Sequence, residues 1–265
     1  MAATTVNVEK VTGTLEDSLS KLGFEVYPLK IGWYNSVVPP SWHLAYPDDS
    51  LAVVVLSTPA MFEQAFLPFL EDRGCQGLSD PIDQCVKRCV SSAVSQCFPG
   101  QKVDVSYDFE LLPSRKPKFL AQTAAHVSGA AFYYQQADIT DQPWDKKMFG
   151  VCMHPRFGGW FAIRALLIFG GVTVGPELVQ PAPPDCVPSR EDRIKLLEAF
   201  NFHWKDWSYR DFVRLIQTYS QKQRDYFATV PAQRFALLRS WGLLSQDSEC
   251  SDPGSDTLTQ VKGHC

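Results

Sequence analysis

Between Gly150 and Arg164 the chain reads G-V-C-M-H-P-R-F-G-G-W-F-A-I-R, so a thiol, an imidazole and two guanidinium groups lie inside one apolar and aromatic run. Cys152 could serve there as a nucleophile, a soft metal ligand or a small apolar filler, and without a nearby base the residues favour filler. Arg164 stands among Phe161, Ile163, Leu166 and Leu167. A guanidinium in that setting must be paired by protein carboxylates or by an anionic ligand. Arg210, in W-S-Y-R-D-F, and Arg234, in P-A-Q-R-F-A-L, share its aromatic or apolar surroundings. If the three converge they would clamp a ligand bearing several carboxylates or phosphates through bidentate bonds; local pairs, such as Arg210 with Asp206 or Asp211, are the alternative.

Two further groups could hold a metal. His126-Val127-Ser128-Gly129 contains the H-x-x-G part of the D-x-H-x-x-G motif by which some corrinoid enzymes ligate cobalt, but Ala124 stands where the orienting Asp would be. Cys85 and Cys89 lie one helical turn apart, and with Val86, Val90 and Val94 around them they read as helix packing. G-x-G-x-x-G, the P-loop, H-E-x-x-H and G-x-S-x-G are all absent, which argues against a Rossmann dehydrogenase, a P-loop NTPase and a serine hydrolase.

These groups need elements to position them. Turn residues at His154-Pro155 and Gly158-Gly159, between apolar segments at 147–153 and 160–169, predict a β-hairpin whose second strand carries Arg164. Val8, Val11, Leu15, Leu19 and Leu22 recur at helical spacing before Gly23, and F-E-V-Y-P-L-K-I-G-W-Y-N follows as extended chain. Leu51 to Leu56 predicts a buried strand; a helix bent at Pro68 follows Ser57 to Pro59, and Asp80-Pro81 opens another. Alternation from Val103 to Leu111 predicts a half-buried strand, and Ala121 to Gly129 a small-residue helix. Strands interspersed with helices without a βαβ rhythm favour an α+β fold over a doubly wound sheet.

The 265 residues can bury a large core, and a Pro-rich stretch ending D-C-V-P, followed by the cap Ser189, places a domain boundary near residue 186. The reading is a main domain over 1–185, a smaller helical module over 186–245 and a polar, disordered tail over 246–265. A net charge of −4 without a basic stripe argues against nucleic acid as a partner. No leader pattern or membrane-length apolar run is present, and eight cysteines then read as reduced thiols in the cytosol. Seven Trp fit either a Trp-rich core or an aromatic cavity for a large planar ligand.

Over about residues 22–240 the chain closely resembles the CblC cobalamin-processing family, the methylmalonic aciduria and homocystinuria type C proteins. The blocks that carry this include G-F-E-V-Y-P, L-S-T-P-A-M-F, D-P-I-D-Q-C-V, R-K-P-K-F-L-A-Q-T-A-A-H-V-S-G-A-A, the whole of 150–164, D-C-V-P-S-R and F-N-F-H-W-K-D-W-S-Y-R-D. The resemblance implies a nitroreductase-like antiparallel sheet flanked by helices, with a C-terminal cap. It also implies base-off cobalamin binding and removal of the upper axial ligand, by glutathione-dependent dealkylation or by reductive decyanation with electrons from FMN or a thiol.

By the same resemblance the corrin would contact Asp108, Phe119, Leu120, Ala121, Gln122, His126, Tyr133, Tyr134, Gln135, Cys152 and Ile163. Arg164, Arg210 and Arg234 would bind glutathione. A CblD-type trafficking partner, a monomer or ligand-promoted homodimer, and a cobalamin-dependent thiol oxidase side activity are further implications. A non-catalytic cobalamin escort and a flavin nitroreductase without corrinoid are the competing functions.

Overall fold

The computed structural model describes residues 4–5, 7–73 and 79–244, so the tail expected beyond residue 246 lies outside the described residues. The chain opens with a short strand β1 (Thr4–Thr5) and helix α1 (Val8–Leu19), capped by the Asn7 side chain at the Lys10 amide. A 3₁₀ turn follows and ends at Gly23, whose φ of 78° suits glycine; a Cβ there would also lie 2.3 Å from the Met61 nitrogen. Strand β2 (Phe24–Lys30) comes next, and the chain then coils into α2 (Ile31–Asn35). The extended reading of 24–35 is thus corrected in its second half: the Gly32 amide turns onto the Asp48 carbonyl at 2.8 Å, and Ser36 closes the helical turn.

The apolar run at β3 (Ser50–Ser57) is buried along its whole length, as expected for a central strand covered on both faces. After it, a π-helical turn over Phe62–Phe66 leads into α3 (Leu67–Arg73), with Pro68 in its first turn. Helix α4 (Pro81–Cys97) starts where Asp80-Pro81 indicated, with the Asp80 side chain accepting from the Asp83 amide. Strand β4 (Val103–Tyr107) stops short of Leu111; the Tyr107 amide turns to the Glu110 carboxylate, and Leu111 bridges to Pro117 instead. Helix α5 (Ala121–Val127), strands β5 (Phe132–Tyr134), β6 (Val151–Met153) and β7 (Ala162–Thr173), and helices α6 (Arg190–Phe202), α7 (Gln221–Ala228) and α8 (Arg234–Ser240) complete the chain.

The main sheet runs β2, β3, β7, with β4 antiparallel and β1 parallel on the far side of β7. Its two faces build two cores. Val53, Val55, Leu167 and Phe169 pack with α1, α4 and the π-turn phenylalanines, while Val54, Leu56, Ile163 and Leu166 pack with α2 and α5. A third core joins Tyr134, Val151 and Met153 to Leu196 and Leu197 of α6. Tyr226, Phe235 and Leu238, from α7 and α8, enter the first core beside the sheet.

The expected hairpin over 147–169 does not form. β6 pairs with β5 in a separate two-stranded sheet, and β7 pairs with β3 and β4. The turn itself is real, since His154 and Gly158 exchange backbone hydrogen bonds of 2.8 and 2.9 Å, but beyond it the strands diverge. β7 is twelve residues long, and β3 and β4 satisfy far more of its backbone hydrogen bonds than the three-residue β6 could, while helices cover its two apolar faces.

Candidate functional site

Arg164 sits at an irregularity in the sheet. Val55 opposes Ala165 and the next residue, Leu56, opposes Ile163, so Arg164 is the extra residue of a β-bulge. Ile163 and Ala165, two apart, would share a face in a regular strand; the bulge sends them to opposite cores and aims the arginine separately. Its side chain is 8% exposed. Nε donates to Ser57 Oγ at 2.9 Å, and Nη1 lies 3.5 Å from Asp108 Oδ2. The charge therefore has a protein carboxylate, one of the two partners that the sequence left open. Asp108, expected beside a ligand, packs against this arginine and also bonds its carbonyl through the backbone, at 3.0 Å.

Burial opposes the charge on Arg164, but Asp108, Tyr219, Asp83 and Asp80 outweigh it, so the guanidinium holds its proton more tightly than in water. The reverse holds for Asp83 at the start of α4: burial, Asp80 and Asp108 push its carboxyl up to about 7, against the pull of Arg164 and Arg234. The role of Asp83 could not be read from D-P-I-D, where it looked like an ordinary residue of a helix's first turn.

The other two arginines approach through aromatic rings. Arg234 stands 4.9 Å from the Tyr226 ring and 5.8 Å from Phe227, and its Nε donates to the Thr229 carbonyl. Arg210 is surrounded by Trp160, Trp207, Tyr209 and Tyr219 at 5.1–5.4 Å, and Nη1 donates to the Gly159 carbonyl. Tyr219 packs 5.3 Å from Trp160 and 5.5 Å from Phe227. One aromatic wall thus runs from Arg210 through Tyr219 and Phe227 to Arg234, and Tyr219 is among the groups that favour the charge on Arg164. The seven Trp are not all core: Trp160 is buried, while Trp204 is exposed.

On the opposite face of the sheet Phe119, Cys152 and Ile163 are buried in one apolar cluster, with Leu120, Ala121 and Tyr133 packed against it. The Cys152 thiol lies 3.7 Å from the Gln122 carbonyl. No group of three or more His, Cys, Asp or Glu among the described residues could hold a metal. Tyr133 and Tyr134 point to opposite sides of β5. Tyr133 borders the apolar cluster, whereas Tyr134 is buried in the third core, donating to Asp185 at 2.8 Å and accepting from the Val187 amide at 2.7 Å. An open groove of about 510 Å³ begins at Tyr133 and Gln135 and is lined further by Gln136, Met148, Phe149 and Gly150. Gly150 is required there, since a Cβ would lie 2.6 Å from the Tyr133 ring.

His126 Nδ1 accepts a hydrogen bond from the Tyr133 amide at 3.1 Å, and burial lowers the pKa of the ring despite Asp138. In the neutral ring the proton then sits on Nε2. That nitrogen is a donor, so His126 as arranged offers no lone pair to a metal.

The family model for methylmalonic aciduria and homocystinuria type C matches residues 23–238. The chain belongs to that family. Among curated CblC relatives, a Danio rerio protein named cyanocobalamin reductase / alkylcobalamin dealkylase is 59% identical, covering 92% of this chain and 98% of its own length. A Homo sapiens protein of the same name is 49% identical over 94% and 87%. The crystal structure of a C. elegans B12-trafficking protein CblC superposes with a TM-score of 0.80 at 33% identity, covering 91% of this chain and 97% of that one. The mixed helix and antiparallel sheet architecture is therefore that of CblC proteins.

Proposed function

We propose that this chain removes the upper axial ligand of cobalamin, acting as a cyanocobalamin reductase and alkylcobalamin dealkylase. The observation that carries the reading is the high identity to enzymes of that name along almost the whole of both chains. The arrangement of groups supports it. An apolar face with Cys152, Ile163, Phe119, Leu120 and Ala121 suits a corrin, and Tyr133 and Gln135 at its margin, with Gln122 next to Cys152, suit the peripheral amides. Asp108 and Tyr134 enter this reading as supports of Arg164 and of the third core, and His126 as a hydrogen-bonded wall of the pocket.

In dealkylation a glutathione thiolate attacks the cobalt-bound carbon; the new S–C bond forms as the Co–C bond breaks, and its electron pair stays on cobalt as cob(I)alamin. The protein supplies alignment and exclusion of water. Arg164, Arg210 and Arg234 take the tripeptide carboxylates. A guanidinium carries five N–H donors, so one held by Ser57 and Asp108 still has donors for a third partner. In decyanation FMN, when bound in its reduced form, or a thiol would supply the one electron that takes the substrate's cobalt(III) to cobalt(II); the donor would be left oxidised by one electron and cyanide would leave. The same reading includes a nitroreductase-like architecture of the sheet and its flanking helices, a cytosolic location, hand-over to a CblD-type partner, a monomer or ligand-promoted homodimer and a thiol oxidase side activity. No helix among the described residues is long and apolar enough to cross a membrane.

The test mixes purified protein with methylcobalamin and glutathione without oxygen. Conversion to the cob(I)alamin spectrum with S-methylglutathione formed supports the dealkylase. Binding without turnover would leave an escort, and no spectral shift would remove both corrinoid readings in favour of a flavin nitroreductase. Oxygen uptake with glutathione that does not depend on cobalamin would remove the oxidase activity.

A further inference from the structure

His154 is buried beneath the turn that joins β6 to β7, and the proposed chemistry makes no use of it. Its imidazole is tied at both nitrogens. Nδ1 accepts from the Arg156 amide at 3.1 Å, the same link that an Asx-turn makes, while Nε2 lies 3.3 Å from both Glu25 Oε2 and the Tyr27 hydroxyl. Phe157 stacks on the ring at 4.6 Å and Phe161 leans on it at 5.5 Å. Glu25 collects the cluster: Tyr27 donates to it at 2.7 Å and the Arg156 guanidinium returns to its other oxygen. With Tyr27 and Arg156 both donating to the carboxylate, an Nε2–H completes the network, so the turn is anchored to β2 by the His154 ring together with the Arg156 guanidinium.

The other side of that turn carries Arg210. The Gly159 amide donates to the Arg210 carbonyl at 3.0 Å, Arg210 Nη1 donates back to the Gly159 carbonyl, and the Ile216 amide donates to Arg156 at 3.0 Å. A Cβ on Gly158 would meet the Arg210 carbonyl at 2.1 Å, and one on Gly159 would meet Arg210 Cγ at 2.9 Å, so the contact closes only over two glycines. Residues 207–220 contain a single four-residue 3₁₀ turn, Ser208–Asp211, and no strand. Their shape is set by what they lie on.

We infer that His154 is a positioning residue for Arg210, holding the 154–159 turn as the template on which the Arg210 guanidinium is aimed at the carboxylate of the thiol substrate. This rests on the proposed reading that Arg210 binds glutathione. His154 acts through Gly159 and touches neither substrate, so its loss should raise the KM for glutathione while leaving cobalamin affinity and kcat in place.

The experiment measures methylcobalamin dealkylation, cobalamin affinity by spectral titration and thermal midpoint for Arg210→Gln, His154→Phe, His154→Asn and the Arg210→Gln/His154→Phe double variant. Arg210→Gln is expected to raise the glutathione KM about tenfold, and His154→Phe, which keeps the ring stacking but loses both hydrogen bonds, about fivefold. His154→Asn restores the acceptor for the Arg156 amide and should recover most of that loss. In the double variant His154→Phe should add nothing. Cobalamin affinity should stay within about twofold throughout.

If Arg210→Gln leaves KM unchanged, the glutathione role of Arg210 falls and the inference with it. If Arg210→Gln raises KM but His154→Phe does not, or the two effects add, the positioning role alone is overturned. Should His154→Phe fail to fold, Glu25→Ala removes the carboxylate to which His154 Nε2 and the Arg156 guanidinium tie the turn. It should raise KM about threefold, and no change would overturn the inference.

Discussion

Replacing Arg164 by Gln leaves Asp108 half-buried without its cation, so the same change should reach both function and stability. The glutathione KM is expected to rise at least tenfold with cobalamin affinity within about twofold, and unfolding free energy to fall by about 2 kcal/mol. Adding Asp108→Asn should restore part of the stability but none of the KM, measured by denaturant melts and steady-state rates. Equal loss of thiol and cobalamin binding would mark Arg164 as a residue of the fold or corrin pocket. Asp83 makes a separate prediction from its pKa. An aspartate raised from 3.8 to about 7 on folding contributes stability at acid pH that drains away as pH climbs from about 4 through 7. Asp83→Asn should therefore gain stability relative to the parent as pH rises across that window. A constant difference between the two melts from pH 4 to 8 would contradict the assignment.

At the scale of elements, the local signals were read well where the chain answers to itself. The Asp80 and Ser189 caps, the Gly23 stop and the buried β3 follow from capping groups and apolar runs. Ser189 accepts from the Asp192 amide at 3.1 Å, so Ser189→Ala should cost about 1 kcal/mol and lower the thermal midpoint by a few degrees. What failed were the pairings. The 150–164 segment carries sound hairpin chemistry at its turn, yet its strands belong to two sheets, because the partner of a strand is chosen by the whole apolar area available. The bulge at Arg164 was equally invisible, since an extra residue exists only relative to an opposing strand.

Across the whole molecule, residues beyond 186 divide between cores: α6 packs on the β5–β6 sheet, while Tyr226, Phe235 and Leu238 share the main core with β3 and β7. We expect one cooperative thermal transition for the chain, with Leu238→Ala lowering stability by about 2–5 kcal/mol without splitting it. A calorimetric trace with two separate peaks would instead favour an independently folding module over 186–245. The same packing brings Arg234 from α8 to the aromatic wall shared with Arg210, a wall that Trp160 joins from the other side of residue 186.

The sequence by itself determined the chemistry on offer: a buried guanidinium needing an anion or carboxylate, two more in aromatic settings, a small-residue helix beside a thiol, and blocks that mark a CblC protein. Those features are local, set by side-chain type, capping and the cost of burying charge. Only the tertiary structure decided which partners they meet. It gave Arg164 the carboxylate of Asp108, turned Tyr134 away from Tyr133, fixed the acceptor nitrogen of His126 and set Arg210 on the His154 turn. The reason is that residues 25, 57, 108, 154 and 210 are distant in the chain, and their contacts are set by sheet register and core packing.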